Sequence, residues 1–343
     1  MLNSNQEILI IGDIMLDVYQ HVEVNRISPE SPTPICDVKN ITYAPGGAGN
    51  VAANITSLGG NVHLIGRIGF DANGEILEKT LKRNKISFYG SRSHDYKTPT
   101  KVRTVSEHHH IVRHDFGENQ HHVVTGSPYL EQLSNTIVEL SKKVKAIVIS
   151  DYNKGFITRP IYATIINNSN EVPIFIDTKQ NIINFWGKKI FAFKPNMKEF
   201  EYNIKLLENE GLYISPNNLL FTNEIEAFIK YLRGFQGTYI SNVLVTHGKE
   251  GMILGTLVGD KYNAWQINPM KKLNVYDVTG AGDTAMAAFV MACVSGYSTE
   301  LAAGIANIAS GIACSKLGTS TVSILELIEV NAFQEAQELV RKI

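Results

Sequence analysis

Short apolar runs recur along this chain at the spacing of a parallel sheet, and that rhythm limits its fold more than any other feature. The first run, EILIIG at 7–12, is bounded by turn residues and apolar at successive positions, as expected of a strand buried on both faces. Similar runs stand at 62–65, 146–149, 174–176, 190–193 and 243–245. Between most of them lie stretches with helical periodicity, at 50–58, 74–83, 128–142, 159–167 and 224–231. Strands alternating with helices predict a doubly wound α/β fold, a mostly parallel sheet flanked by helices. Two regions, 18–43 and 96–115, break the rhythm by alternating polar with apolar or β-branched residues. Within them TKVRTV at 100–105 and HIVRH at 110–114 read as half-exposed strands, so a small β-sheet lid is expected within one domain spanning 1–343. From 284 to 317 the chain is rich in Ala, Gly, Met and Ile, with breaks at Gly296 and around Gly318, which predicts two tightly packed helices.

Charge narrows the partners. With 32 basic and 33 acidic side chains the net charge is −1, and no broad basic surface for nucleic acid is expected. Cys36, Cys293 and Cys314 are too far apart for a metal knuckle or a disulfide framework, which fits a reducing compartment. The first residues are polar, and the apolar run at 8–11 is too short for a signal-peptide core. The most apolar later stretch, 285–294, is about half of the roughly twenty residues that a membrane span needs. The expectation is a cytoplasmic protein without a membrane partner.

The strongest chemical signal is DVTGAGDT at 277–284, which runs straight into the apolar helix. Small residues at Gly280, Ala281 and Gly282 let a ligand approach the backbone, where the leading N–H groups of a helix make an anion site. Asp283 would add negative charge at such a place, which makes sense if it takes a proton from a hydroxyl while the N–H groups hold a transferring phosphoryl group. The alternative is a plain helix cap, a common use of Asp. A second cluster, PGGAGN at 45–50, opens another helix, and its glycines could equally be a tight turn.

Gly12–Asp13 with Asp17, PGG followed by Asn50, NMKE at 196–199 and GAGD at 280–283 stand in the order and spacing of the PfkB/ribokinase sugar-kinase family, which the chain resembles over nearly its whole length. Within that family it looks most like the D-glycero-β-D-manno-heptose 7-phosphate kinases of lipopolysaccharide-core synthesis. The segments carrying this likeness are GDIMLD at 12–17, RISPESPTP at 26–34, KVRTVS at 101–106, IVRHDF at 111–116, SDYNKG at 150–155 and KLGTSTVS at 316–323.

The resemblance implies ATP-dependent phosphorylation of an anomeric hydroxyl. Asp283 would be the base and Gly280, Ala281 and Gly282 the anion hole. Asp13, Asp17, Gly46, Gly47 and Asn50 would hold the sugar. Asn196 and Glu199, three apart and so on one helix face, would organise Mg²⁺, with Glu199 acting through water; on residue type alone they read as a cap and a surface carboxylate. ATP would lie between Thr246, Gly248, Gly251 and Asn307. Asp277 and Thr279 resemble the region where some relatives hold a monovalent cation such as K⁺. Arg103, Arg113, Lys154 and Lys179 would read the sugar's 7-phosphate, each with an exposed solvated charge as its alternative.

Two departures from the family pattern, DTK at 177–179 for the usual Asp-Pro-Lys and GGAGN for GGAAN, leave the ligand-facing residue types in place. The histidines at 108–110 and 121–122 alternate faces on a strand, a poor geometry for one metal, and read as lid or loop residues. Rival readings are another kinase of the family, acting on ribose, fructose or a nucleoside, and a sugar- or nucleotide-binding protein without turnover; the presence of Asp283 with Asn196 and Glu199 argues against the latter. Many relatives carry a fused nucleotidyltransferase, but only about twenty residues follow 316–323, so that step is expected on another polypeptide. Exposed lid strands suggest a homodimer through the lid.

Overall fold

Ile8, Leu9, Ile10 and Ile11 are all fully buried, and their alternation divides the protein into two apolar layers. Ile8 and Ile10 enter one core and Leu9 and Ile11 the other, so a single strand is apolar at every position because both of its faces are covered. A computed structural model describes residues 2–106, 109–117, 127–169, 171–185, 189–209, 211, 221–234, 239–270 and 274–343.

In chain order the strands are β1 (Glu7–Gly12), β2 (Ile14–Ile27), β3 (Pro34–Gly47), β4 (Asn61–Ile65), β5 (Arg67–Gly69), β6 (Ser87–Phe88), β7 (Ser91–Ser93), β8 (Thr100–Ser106), β9 (His109–Phe116), β10 (Ala146–Asp151), β11 (Ile174–Thr178), β12 (Lys189–Phe193), β13 (Tyr239–Thr246), β14 (Met252–Val258), β15 (Lys261–Ile267) and β16 (Val340–Lys342). The helices are α1 (Ala48–Ser57), α2 (Ala72–Arg83), α3 (Ser127–Ser141), α4 (Arg159–Asn168), α5 (Met197–Asn209), α6 (Phe221–Gly234), α7 (Ala281–Val294), α8 (Thr299–Cys314), α9 (Ile324–Glu329) and α10 (Ala332–Leu339).

The main sheet has the order β16-β15-β14-β13-β12-β11-β10-β1-β4-β6. From β6 to β13 every pairing is parallel. Helices α1, α2, α7 and α8 cover one face, and α3 to α6 the other. The doubly wound expectation therefore holds. The sequence reading did not include the antiparallel edge β14-β15-β16; β14 is mostly buried but its apolar run is broken by Gly255 and Thr256, and β15, joined to it by a tight Gly259–Asp260 turn, is half-buried. The two small-residue helices also hold: in α7 every residue from Asp283 to Ala292 is buried, as its lack of a polar face requires.

The regions that broke the rhythm form a second sheet, β3-β2-β8-β9, spanning 14–47 and 100–116. Its middle pairing, β2 with β8, is parallel, and β2 runs without interruption from the main sheet's edge into the lid. No helix among the described residues is long and apolar enough to cross a membrane. His108, His121 and His122 lie outside the described residues.

Candidate active site

Parallel strands end together, so the residues just past the C-terminal ends of β1, β10, β11, β12 and β13 converge on one edge, where open α/β sheets bind ligands. Helix α7 points its N-terminus at that edge. Gly280 caps it with φ of 77°, and a Cβ there would lie 2.6 Å from Asn50 Nδ2, so no larger residue fits between the helix and α1. The first i→i−4 bond of α7 runs from the Thr284 N–H to the Gly280 carbonyl at 2.9 Å. The N–H groups of Gly282 and Asp283 lead the helix ahead of it, as an anion site requires. Ala281 turns its carbonyl away, to the Ser310 hydroxyl.

Asp283 is 5% exposed and held at both oxygens. Asn50 Nδ2 donates to Oδ2 at 2.8 Å and the Tyr152 hydroxyl donates to Oδ1 at 2.7 Å. Asn50 is oriented in turn by Asn54, whose amide donates to Asn50 Oδ1 and accepts from the Val322 N–H. Burial pushes the Asp283 carboxyl up to about 6, the hydrogen bonds from Tyr152 and Asn50 pull it back, and Asp177 and Lys194 act in opposite directions. Lys194 pairs with Asp177 at 2.9 Å, with both side chains buried, and its ammonium lies 3.6 Å from where a Cβ on Gly282 would sit. A buried carboxylate with a pKa near neutrality, beside a helix N-terminus, has the properties of a general base for a hydroxyl.

The expected sugar ligands fall into two groups. Asp17 stands over the site from the lid: Arg103 pairs with one oxygen at 2.6 Å, Thr319 donates to the other at 2.8 Å, and Gly46 packs against it. The Thr319 methyl lies 3.6 Å from the Cβ position of Gly280, which links Asp17 to the start of α7. Asp13, by contrast, is turned inward. Its oxygens accept the N–H groups of Tyr152, Lys154 and Phe156, and burial pushes its carboxyl up despite those bonds. It fastens the 152–156 turn with the oxygens that were expected to hold a sugar. Its neighbour Asp151 is pushed up to about 7 by burial and by Asp13. Gly47 caps α1 and backs onto the Asp13 carbonyl. Asn50, expected on the sugar, engages Asp283 and Asn54.

The expected phosphate-reading cations are distributed differently from the expectation. Arg103 is buried in its pair with Asp17 and lies over the Tyr19 ring. Arg113 is its cross-strand partner on β9, half exposed and paired with Asp115 at 2.9 Å. Lys101 also reaches Asp115. Two arginines directly opposite repel unless matched, and Asp17 and Asp115 provide the match. Lys179 pairs with Glu199 and stands 5.6 Å from the centre of the Tyr152 ring. Lys154 contributes its backbone to the turn on Asp13.

Asn196 and Glu199 form a reciprocal cap at the start of α5: each side chain accepts the other's backbone N–H at 2.9 Å. Asn196 bridges to Thr246 at the end of β13. Among the described residues no three His, Cys, Asp or Glu side chains cluster as a closed metal site. Capping takes a lone pair of one Glu199 oxygen and Lys179 one of the other, so a lone pair on each remains for the waters of a hydrated ion. Gly248 and Gly251 bound a short 3₁₀ turn after Thr246, and Asn307 donates to the Asn268 carbonyl at 2.7 Å. Asp277 accepts from Thr279 N–H and Oγ1, Gly318 N–H and His110. These bonds outweigh its burial and hold it below the usual carboxylate range. Each of its oxygens thus accepts two bonds, so a monovalent cation in this region would be held through backbone carbonyl oxygens, as expected, and not by this carboxylate.

The sequence reading missed Tyr152, Lys194, Thr319 and His110 as site residues. The first two follow the ends of β10 and β12, so a survey of strand C-termini would have found them. His110 comes in on lid strand β9 and carries no such signal, whereas Thr319 lies in the loop after α8, within the KLGTSTVS segment already singled out.

Residues 5–326 match the model of the pfkB family carbohydrate kinases. The chain is 36% identical over 339 residues to the bifunctional protein HldE of Haemophilus ducreyi, covering 98% of this chain and 66% of that protein. It is 35% identical to the protein of that name in Vibrio parahaemolyticus, covering 94% of this chain and 63% of that one. It thus spans about two thirds of the length of these curated relatives. The fold superposes on Arabidopsis thaliana ribokinase complexed with ribose and ATP at a TM-score of 0.66, with 19% identity over 95% of this chain and 98% of that one. For Escherichia coli phosphofructokinase-2 the TM-score is 0.67, with 18% identity and 98% of each chain covered. With its ribokinase-like fold and its full-length family match, this chain belongs to the pfkB family of carbohydrate kinases and is a sugar kinase.

Proposed function

We propose that this kinase transfers the γ-phosphoryl group of ATP to the anomeric hydroxyl of D-glycero-β-D-manno-heptose 7-phosphate, giving the 1,7-bisphosphate used in making the lipopolysaccharide core. The observation that carries the reading is the buried Asp283 carboxylate at the N-terminus of α7, facing a lid that presents Asp17 and a cross-strand arginine pair. Asp17 would orient sugar hydroxyls. Asp283 takes the proton of O1, O1 attacks the γ-phosphorus, and the bond to the bridging oxygen breaks to release ADP. The leading N–H groups of α7 hold the transferring group, and Lys194 adds positive charge beside Gly282.

Mg²⁺, held through water by Asn196 and Glu199, would neutralise charge on the β- and γ-phosphates. ATP would reach the site along Thr246 and the Gly248 turn. A sugar carrying a remote phosphate would give Arg113 and Lys101, two cations that share the single carboxylate of Asp115, an anion that a bare pentose lacks. ATP as donor and three free thiols suit a cytoplasmic setting.

The lid also has a second face. By cross-strand register Val24, Val38, Ile41, Val112 and Phe116 lie on the side opposite Asp17, and each is exposed. Such a face supports a homodimer through the lid. Coupled ADP release should be measured across ribose, fructose, fructose 6-phosphate and the heptose 7-phosphate. A clear preference for the last is expected. Equal or better turnover of ribose would transfer the assignment to an unphosphorylated sugar.

A further inference from the structure

Tyr152 is placed without help from Asp283. The turn that carries it is fastened by Asp13, which accepts its N–H at 2.9 Å together with those of Lys154 and Phe156. Its ring packs 3.5 Å from the Cβ position of Gly47 on one side, and the Lys179 ammonium stands over it on another. From that fixed ring the hydroxyl meets Asp283 Oδ1 at 2.7 Å, while Asn50, itself held by Asn54, meets Oδ2.

We infer that Tyr152 is a positioning residue for Asp283, its hydroxyl and the Asn50 amide gripping one carboxylate oxygen each so that the remaining lone pairs face the incoming sugar hydroxyl. The inference rests on the reading of Asp283 as the base. A carboxylate accepts about two hydrogen bonds per oxygen, so one grip on each leaves room for the substrate. The same bond favours the ionised form that a base must have, against the burial that disfavours it. Burial and the charge of Asp283 push the Tyr152 phenol well above its usual range, so it remains a donor at every working pH. The other charges facing this pair are Asp177, Lys194, Lys179 and Asp17, and the substitution Tyr152→Phe alters none of them.

The test is the pH profile of kcat and kcat/KM for wild type and Tyr152→Phe, repeated in an Asp283→Asn background. Loss of a hydrogen bond to a charged group should move the acid limb up by about one to two pH units. Activity near pH 6.5 then falls roughly 3- to 25-fold, near pH 5 roughly 10- to 100-fold, and recovers to within a few-fold at pH 9, with KM for ATP unchanged. In the Asp283→Asn background the second substitution should add nothing. A loss of equal size at every pH, an unmoved acid limb, or the same loss without Asp283 would overturn the inference. Wild-type turnover separates its failure from that of the parent reading: an enzyme inert on all four sugars refutes both, and an active one with an unmoved limb refutes this inference alone.

Discussion

Replacing Arg103 and Arg113 separately by alanine should give opposite outcomes, although the two residues face each other across the same pair of strands. The Arg103 and Asp17 side chains are 6% and 5% exposed, so Arg103→Ala leaves a buried carboxylate without its guanidinium, with Thr319 still donating to it. Breaking a buried pair from one side costs about 3–5 kcal/mol. At about 2 °C per kcal/mol for a long chain, the melting midpoint should fall by roughly 6–10 °C. Adding Asp17→Asn should restore most of that loss, because no unpaired charge remains. Arg113 is 55% exposed and its pair with Asp115 is worth about 0–1 kcal/mol, so Arg113→Ala should barely alter the melting point. If Arg113 reads the sugar's phosphate, losing a charge-assisted bond of about 1.5–3 kcal/mol raises KM for the heptose phosphate roughly 10- to 150-fold. KM for ATP and for ribose should not move. Thermal unfolding and steady-state kinetics on the four proteins decide the matter. A wild-type midpoint for Arg103→Ala refutes the buried-pair argument, and a wild-type KM for Arg113→Ala removes the phosphate role.

Asp283→Asn should lower turnover by about 10²- to 10⁴-fold with nucleotide binding retained; turnover within a few-fold of wild type would exclude it as the base. With its carboxyl pushed up to about 6 by burial, wild-type kcat/KM should fall tenfold per unit below that pH as the base becomes protonated, and a limb near pH 4 would contradict this. Glu199→Gln keeps the α5 cap but removes the charge that Lys179 faces, so it should raise the Mg²⁺ needed for half-maximal rate; an unchanged titration argues against the metal role. Val38→Glu combined with Val112→Glu should yield monomers in sedimentation if the exposed lid face joins two subunits, and an unaltered mass rejects that interface.

Much of the architecture was legible before any coordinates. The run at 8–11 is apolar at successive positions, which only a strand covered on both faces requires, and GAGD at 280–283 joins small residues to a carboxylate at a helix start, a local signal for anion chemistry. Asn196 was likewise readable as a helix cap, but Glu199, which residue type made a surface carboxylate, returns the bond to the Asn196 N–H three residues back. What residue type could not reveal is how charges are shared out. Arg103 and Lys179 look alike in sequence as free cations, yet each lies against a carboxylate from another element, Asp17 or Glu199. Asp13 and Asp17, four residues apart, take opposite duties because one sits at a strand end under the 152–156 turn and the other on the lid.

The local pattern of this chain thus determined its parallel core strands, their helices and a carboxylate at a helix start, because period and turn chemistry act between near neighbours. Only the tertiary structure decided which partners each charge obtains, since Asn50, Tyr152, Asp177 and Lys194 reach Asp283 from four different elements. Burial and hydrogen bonding at that junction, not residue type, set its basicity.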